Sequence, residues 1–116
     1  QSLAVTAVQL AETLGAKGII VITRRGLMAD YVTNCHPQKT RIFAFTNDSQ
    51  TRRRLILNRN LTPYRTAFSS DPEKTLQTSF DVLKERAGLQ SNDKVVVISD
   101  VLAGTGIEAI QIRHLP

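Results

Sequence analysis

A chain of 116 residues, 41% apolar and 22% charged, is long enough for one packed domain and too short for two lobes that close over a substrate. No apolar run approaches the roughly 20 residues that a membrane-spanning helix needs, so no membrane role is expected. Fifteen basic and ten acidic residues give a net charge of +5, which favours anionic partners without identifying them as metabolites, nucleic acid or acidic proteins.

The chain contains one cysteine and begins in the middle of a helical pattern. Cys35 has no cysteine partner for an internal disulfide, and no signal-peptide pattern is present, so a reducing cytoplasm is the expected location. The first residue is Gln1 rather than methionine, and helical periodicity already begins at Leu3. We therefore expect residues 1–116 to form a single domain excised from a longer chain.

Helical and strand patterns alternate along the first part of the sequence. Apolar side chains at i, i+4, i+7 and i+11 predict a helix with a buried stripe made of Leu3, Ala7, Leu10 and Leu14. Gly15 suits the carboxyl end of this helix. Residues 18–23, GIIVIT, are apolar at both parities, which predicts a strand buried on both faces. A second helix is predicted over residues 27–33 and a second strand, RIFAFT, over residues 41–46.

The middle of the chain predicts one more helix and a strand at a sheet edge. Residues 49–59, SQTRRRLILNR, fit a third helix, and Asn60 follows at a position where a left-handed cap is favourable. Residues 61–66, LTPYRT, predict a third strand. Because Pro63 cannot donate a ladder hydrogen bond, this strand is placed at the edge of the sheet.

The last third of the chain predicts a well-delimited helix and two strands. Asp71 is suited to cap the fourth helix and Gly88 to end it, and its apolar stripe is Leu76, Phe80, Leu83 and Ala87. Residues 94–99, KVVVIS, predict a strand buried on both faces, whereas residues 107–113, IEAIQIR, alternate like a strand with one solvated face. Only seven residues separate these two strands, and a parallel crossover needs about a dozen. The last strand is therefore predicted to run antiparallel to the fourth.

These elements predict an α/β fold. Its architecture is a three-layer α/β/α sandwich with a five-stranded mixed sheet in the order 3-2-1-4-5 and an antiparallel last strand. Ligands of such sheets bind beyond the carboxyl ends of the strands, where the strand order reverses. The two loops predicted to meet there are TRRGLM, residues 23–28, and DVLAGTG, residues 100–106.

The chemistry of these two loops favours a phosphate ligand. The first loop offers a hydroxyl, two guanidinium groups and backbone N–H groups at a helix start, from Thr23, Arg24, Arg25 and Gly26. In the second loop, glycines on both sides of a threonine permit close backbone approach, at Gly104, Thr105 and Gly106. Met28 and Asp100 are poorer neighbours for phosphate, because a thioether donates no hydrogen bond and a carboxylate repels an anion.

Other interpretations of these residues remain open. Arg24 and Arg25 also fit an ordinary exposed turn, and the glycines fit a turn that only joins two strands. The arginines at residues 52–54 point in different directions on a helix, and two tyrosines and four phenylalanines provide no stacking platform, so no nucleic-acid partner is expected. Cys35 and His36 are neighbours whose side chains diverge on a helix, so neither a catalytic nor a metal site is predicted.

The order of these motifs resembles the C-terminal α/β domain of pyruvate kinases over essentially the whole chain. The family pattern at the end of the first strand is matched by Thr23, Arg24, Arg25 and Gly26, and its middle segment by Thr46, Asn47, Thr51, Arg53 and Pro63. Asn60 stands where the family usually has glycine, and both residue types tolerate positive φ. The resemblance implies a regulatory and oligomerisation domain of a glycolytic kinase.

The resemblance also implies the partners of this domain. The parent enzyme transfers a phosphoryl group from phosphoenolpyruvate to ADP with magnesium and potassium in a separate catalytic barrel domain, so this chain alone has no catalytic residues and no cofactor. Expected partners are that barrel, further copies in a tetramer, and an effector that is a sugar phosphate, such as fructose 1,6-bisphosphate, or a nucleotide. The residues leave one alternative, a free-standing α/β module that binds a phosphorylated metabolite or nucleotide.

Overall fold

The computed structural model describes residues 2–100 and 110–116, in which helices and strands alternate as predicted. The helices are α1 (Ser2–Leu14), α2 (Leu27–Asn34), α3 (Ser49–Ile56) and α4 (Pro72–Arg86). The strands are β1 (Gly18–Ile22), β2 (Arg41–Thr46), β3 (Thr62–Arg65), β4 (Lys94–Ser99) and β5 (Ile110–His114). None of the helices in these two ranges is long and apolar enough to cross a membrane.

The five strands form one mixed sheet in the order β3-β2-β1-β4-β5. β1 lies in the centre and pairs in parallel with β2 and β4, so Ile20 lies between Phe43 and Val97. β3 pairs in parallel with β2 at one edge, and β5 pairs antiparallel with β4 at the other. The predicted strand order and the antiparallel last pair are confirmed.

Helices cover both faces of the sheet and give it two separate apolar layers. On one face α1, α2 and α3 pack on alternate strand residues such as Ile19, Val21 and Val96. On the other face α4 packs on residues of the opposite parity, including Ile20 and Phe43. This arrangement explains why β1 and β4 are apolar at both parities, since neither of their faces is solvated.

The buried stripe predicted for α1 is correct at Ala7 and wrong at Leu3, and the helix itself is confirmed. The residues buried against the sheet and α2 are Ala4, Ala7, Val8 and Ala11. Leu3 is exposed, and Leu10 and Leu14 are only partly buried. Small side chains at the contact let a helix axis lie closer to its neighbours. The face that fits closely, rather than the face with the largest side chains, is therefore the one that packs inward.

Helix α3 ends three residues earlier than predicted. Its C-cap is Leu57 in a right-handed conformation, and Asn60 has no positive φ; within the described ranges, only His36 and Asn92 among non-glycine residues do. Asn58 accounts for the early end, because its Oδ1 accepts a hydrogen bond from the backbone N–H of Asn60 at 2.9 Å. Such a side-chain turn competes with further helical hydrogen bonds. The predicted left-handed cap at Asn60 is therefore wrong.

The edge strands differ in detail from the predicted ones. β3 is one residue shorter at each end, and the predicted beginning of β5, residues 107–109, lies outside the described residues. In β5 the strand face that carries the apolar side chains is not better covered than the opposite face. Ile112 is 49% exposed, whereas Gln111 and Arg113 are partly buried. The guanidinium of Arg113 lies over the ring of Phe80, 5.6 Å from its centroid. The aliphatic part of the Arg113 side chain therefore covers the part of this sheet face that α4 does not cover.

Helix α4 begins as predicted and is joined to β5 by an ion pair. The Asp71 carboxylate accepts a hydrogen bond from the N–H of Glu73 at 3.1 Å. Glu73 in turn accepts two hydrogen bonds from the Arg113 guanidinium, at 2.8 and 3.0 Å. These bonds hold the pKa of Glu73 below its ordinary value, against the opposing effect of burial. The same pair raises the pKa of Arg113.

This ion pair gives the domain an acid-sensitive contribution to stability. Because the folded-state pKa of Glu73 is lowered, the contribution is complete above the unfolded-state pKa near 4.3 and is lost as pH falls through the folded-state value. The Glu73 side chain is half exposed, so we expect Glu73→Gln to lower the free energy of unfolding by only about 0.2–1 kcal/mol at neutral pH. Urea unfolding of both proteins, from about pH 7 down to about pH 3, should show this difference vanish in acid.

A matched control for this experiment is Asp81→Asn on the same helix. Asp81 is exposed and has no ion pair within the described part of the chain. A difference for Glu73→Gln that stays constant down to about pH 3 would show that its carboxylate charge does not stabilise the fold.

Candidate functional site

The two loops predicted to share one crevice do meet at the carboxyl ends of β1 and β4. The Thr23 hydroxyl donates a hydrogen bond to Oδ2 of Asp100 at 2.9 Å, although the two residues are 77 positions apart. Their approach follows from the pairing of β1 with β4, which places Ile22 beside Ser99. The remaining residues predicted for this site, Gly104, Thr105 and Gly106, lie outside the described residues.

Thr23 is fully buried and links the two loops through its hydroxyl group. Besides donating to Asp100, its Oγ1 accepts a hydrogen bond from the N–H of Gly26 at 3.0 Å. A hydroxyl has one proton, and here that proton is donated to Asp100. In this arrangement Thr23 fixes the shape of the turn.

Gly26 occupies a backbone conformation that demands glycine. It lies immediately before α2 with φ of 87° and ψ of 0°, in the left-handed region. A Cβ atom built there would overlap the Arg54 guanidinium and lie 3.3 Å from Cδ2 of Leu55. The carbonyl of Gly26 accepts the first helical hydrogen bond of α2, from Asp30 at 3.0 Å. Gly26 therefore lets the chain reverse from β1 into α2 while α3 packs directly against the turn.

The backbone of the basic turn is held from outside by two hydrogen bonds. The Thr46 hydroxyl donates to the carbonyl of Arg24 at 2.9 Å, and Nη2 of Arg54 donates to the carbonyl of Arg25 at 2.7 Å. Arg54 also pairs with Asp30 at 3.2 Å. The side chains of Arg24 and Arg25 stay exposed while their backbone is fixed. This supporting role of Arg54 was missed from the sequence, because it joins two helices through space.

The exposed side of the turn lines a cavity of about 360 Å³. Its lining residues are Arg24, Arg25, Leu27 and Asp100. Met28 is not among them, since it is buried in the core between α2 and the sheet. Met28 therefore does not face the described part of this cavity, and it offers no hydrogen bond to a phosphate there. Two guanidinium groups against one carboxylate leave the described part of the cavity net positive, which suits an anion.

The other polar residues considered from the sequence have structural partners or lie elsewhere. The Cys35 thiol donates to the carbonyl of Tyr31 at 3.3 Å and is only partly exposed. His36 follows in a turn with φ of 51°. Arg52 and Arg53 line a different cavity, away from the basic turn. The described residues thus concentrate the predicted anion-binding groups at Arg24 and Arg25.

Comparison with known families gives a match over almost the entire chain. The family model described as "Pyruvate kinase, alpha/beta domain" matches residues 1–112. The chloroplastic pyruvate kinase isozyme A of Ricinus communis is 37% identical over 111 residues, and the Nicotiana tabacum protein of the same name is 36% identical over 111 residues. Each alignment covers 96% of this chain and 18% of the relative. The chain therefore spans about a fifth of the length of these curated relatives.

Solved structures share the fold. A structure of Cryptosporidium parvum pyruvate kinase in complex with ADP superposes with a TM-score of 0.87 at 24% identity, over 99% of this chain and 23% of that one. Another crystal structure of Cryptosporidium parvum pyruvate kinase gives 0.85 at 23% identity, over 99% of this chain and 22% of that one. The predicted α/β architecture with its antiparallel last strand is thus confirmed by both topology and superposition.

Proposed function

Because the chain belongs to the pyruvate kinase family, as its alpha/beta domain, we propose that it serves a pyruvate kinase as a regulatory and oligomerisation domain. In this proposal the parent enzyme converts phosphoenolpyruvate and ADP to pyruvate and ATP, and the present domain is not catalytic alone. The observation that carries the regulatory part is the cavity at the carboxyl ends of β1 and β4, into which the basic turn and Asp100 converge.

The ligand proposed for this cavity is a phosphorylated effector, either a sugar phosphate or a nucleotide. Arg24 and Arg25 provide charge-assisted hydrogen bonds to phosphate, and their backbone is already fixed by Thr46 and Arg54. A fixed backbone reduces the entropy lost when the ligand is bound. Asp100 lies within the cavity, where its carboxylate is suited to accept hydrogen bonds from sugar hydroxyl groups.

Exposed apolar side chains support the proposed contacts with a catalytic barrel and with further copies of the chain. Leu27 at the start of α2 is 55% exposed and Leu57 at the end of α3 is 82% exposed. These two helices are joined by the Arg54–Asp30 pair, so they present one continuous structure to a neighbouring domain. Val5 of α1 and Ile112 at the β5 edge are also exposed and support an oligomer contact.

Magnesium and potassium belong, in this proposal, to the barrel domain. Within the described residues, no three histidine, cysteine, aspartate or glutamate side chains converge in a way that could hold a metal ion. Phosphoryl transfer, like the two metal ions, is assigned in this proposal to the barrel domain. The single cysteine favours a reducing compartment, and the sequence led us to expect the cytoplasm. The names of the two plant relatives place those proteins in chloroplasts.

Calorimetric titration tests the proposed effector site. With fructose 1,6-bisphosphate, ribose 5-phosphate and AMP as ligands, we expect at least one to bind and the double variant Arg24→Ala/Arg25→Ala to bind it at least about a hundredfold more weakly. The reason is the loss of two hydrogen bonds from charged donors, each worth about 1.5–3 kcal/mol. The double variant Arg59→Ala/Lys74→Ala removes the same charge from exposed positions outside this cavity and should bind normally.

Two results would contradict the proposal in different ways. Unchanged affinity in Arg24→Ala/Arg25→Ala would remove the basic turn from the effector site. Turnover of phosphoenolpyruvate and ADP by this chain alone would show that it is an enzyme rather than a regulatory domain.

A further inference from the structure

A second and larger cavity, of about 550 Å³, lies at the β3 edge of the sheet, on the side covered by α4. It shares no lining residue with the cavity at the basic turn. Four arginines from three different elements line it: Arg52, Arg53, Arg65 and Arg86. Its volume lies within the range of about 300–1,000 Å³ that is typical of small-ligand sites.

The cavity exists because α4 covers the centre of the sheet better than its edge. Phe80 and Leu83 of α4 are fully buried against the inner strands, whereas Tyr64 of β3 is only partly covered. The ring of Tyr64 stacks on Phe45 with centroids 5.2 Å apart, which fixes its position. Tyr64 and Val82 thus form an apolar floor, and arginine side chains surround it.

The charge around this floor is only partly balanced by the protein: hydrogen bonds from Thr51 and the charge of nearby Arg53 lower the pKa of Asp48, the residue that caps α3. Within the described part of the chain, none of the four arginines has a carboxylate within ion-pair distance. Glu85 is the one acidic residue among the lining residues, so the cavity wall carries three net positive charges. Guanidinium groups that outnumber the carboxylates around one cavity repel one another, and a bound anion relieves that repulsion.

A hydroxyl group without a partner lies in the same wall. The backbone N–H of Thr66 donates to the carbonyl of Thr46 at 2.9 Å, which extends the pairing of β3 with β2. The Oγ1 atom of Thr66 is buried and has no hydrogen-bond partner among the described residues. A buried polar atom without a partner costs free energy, and an acceptor oxygen from a ligand would satisfy it.

From this combination we propose that the cavity at the β3 edge is a second anion site, specific for a small polyanion with at least two phosphate-like groups. Two such groups are needed to engage arginines that come from α3, β3 and α4, and the Thr66 hydroxyl donates to one of them after its side chain rotates the buried Oγ1 atom toward the cavity. Arg53 is partly positioned already, since its Nε donates to the carbonyl of Ser49 at 3.4 Å. The site is independent of the effector site proposed at the basic turn.

Inorganic pyrophosphate is the probe for this site, with inorganic phosphate as the comparison. By calorimetry on the complete protein that carries this domain, with the 116-residue chain in parallel, pyrophosphate should bind at least about tenfold more tightly than phosphate, and its affinity should fall with added salt. Arg52→Ala/Arg65→Ala should weaken pyrophosphate binding about tenfold or more. Arg59→Ala/Lys74→Ala, which removes the same charge from exposed positions outside both cavities, should leave it unchanged.

Two further single substitutions leave all the arginines in place. They are expected to change the affinity for pyrophosphate in opposite directions. Thr66→Val removes the hydroxyl and should weaken pyrophosphate binding severalfold without lowering the melting temperature, because the hydroxyl has no described partner to lose. Glu85→Gln removes the lining carboxylate and should strengthen binding severalfold. Equal affinity for phosphate and pyrophosphate, or unchanged pyrophosphate affinity in both Arg52→Ala/Arg65→Ala and Thr66→Val, would overturn the proposal.

Discussion

Truncation of Phe80 to alanine should lower the free energy of unfolding by about 3–5 kcal/mol, the largest effect expected of any single substitution considered for this domain. Phe80 lies in the middle of α4, is fully buried, and packs in the apolar layer that also contains Phe43 and Phe45. Alanine would lose the burial of the ring and leave a cavity that the surrounding strands cannot fill. Urea unfolding followed by circular dichroism measures the difference.

Phe68 provides a matched control for this substitution. It contacts the same apolar layer but is only partly buried, so Phe68→Ala should cost clearly less than Phe80→Ala. Phe80→Leu keeps most of the volume and should cost less as well. If the two alanine variants were equally stable, α4 would not be packed on the sheet as the structure has it.

The layer that contains Phe80 was predictable because burial leaves a strong mark on the sequence. Residues 18–23 and 94–99 are apolar at both parities, and only strands covered on both faces tolerate that pattern. The short connection before the last strand then determined its antiparallel direction. These two constraints restrict the strand order without selecting a single one, since they require only that the doubly buried strands lie inside the sheet and that the last strand lies beside the fourth.

The inward face of α1 was not predictable in the same way. Hydrophobicity favours Leu3 and Leu14, whereas the structure buries Ala4 and Ala11. Which face packs depends on how closely the helix can approach the sheet, and that distance is a property of the assembled layers. The same limit applies to Asn60, where the hydrogen bond from its N–H to the Asn58 side chain decided the end of α3.

The candidate sites were predictable to the extent that topology places loops together. The meeting of Thr23 with Asp100 follows from adjacent parallel strands and could be anticipated. The role of Arg54 could not, because a run of three arginines gives no indication of which one turns inward. The second cavity depends on how far α4 covers β3, a quantity that the sequence pattern of neither element contains.

Substitution of Gly26 by alanine should lower the free energy of unfolding by about 2–3 kcal/mol. One part, about 1–2 kcal/mol, is the cost of placing a Cβ at the observed φ of 87°. The other part arises because the new Cβ displaces the Arg54 guanidinium, which donates to the carbonyl of Arg25 and pairs with Asp30. Loss of those contacts should also loosen the basic turn and weaken effector binding.

Gly15 separates the two contributions to this effect. It has a φ of 65°, but a Cβ there meets nothing within 4 Å, so Gly15→Ala measures backbone strain without a clash. Gly26→Ala made in an Arg54→Ala background should then cost only slightly more than Gly15→Ala, because the guanidinium is already absent and only the contact of the new Cβ with Cδ2 of Leu55, at 3.3 Å, remains. If Gly26→Ala costs the same with and without Arg54, the guanidinium does not hold the turn, and the fixed backbone on which the proposed effector site depends has another origin.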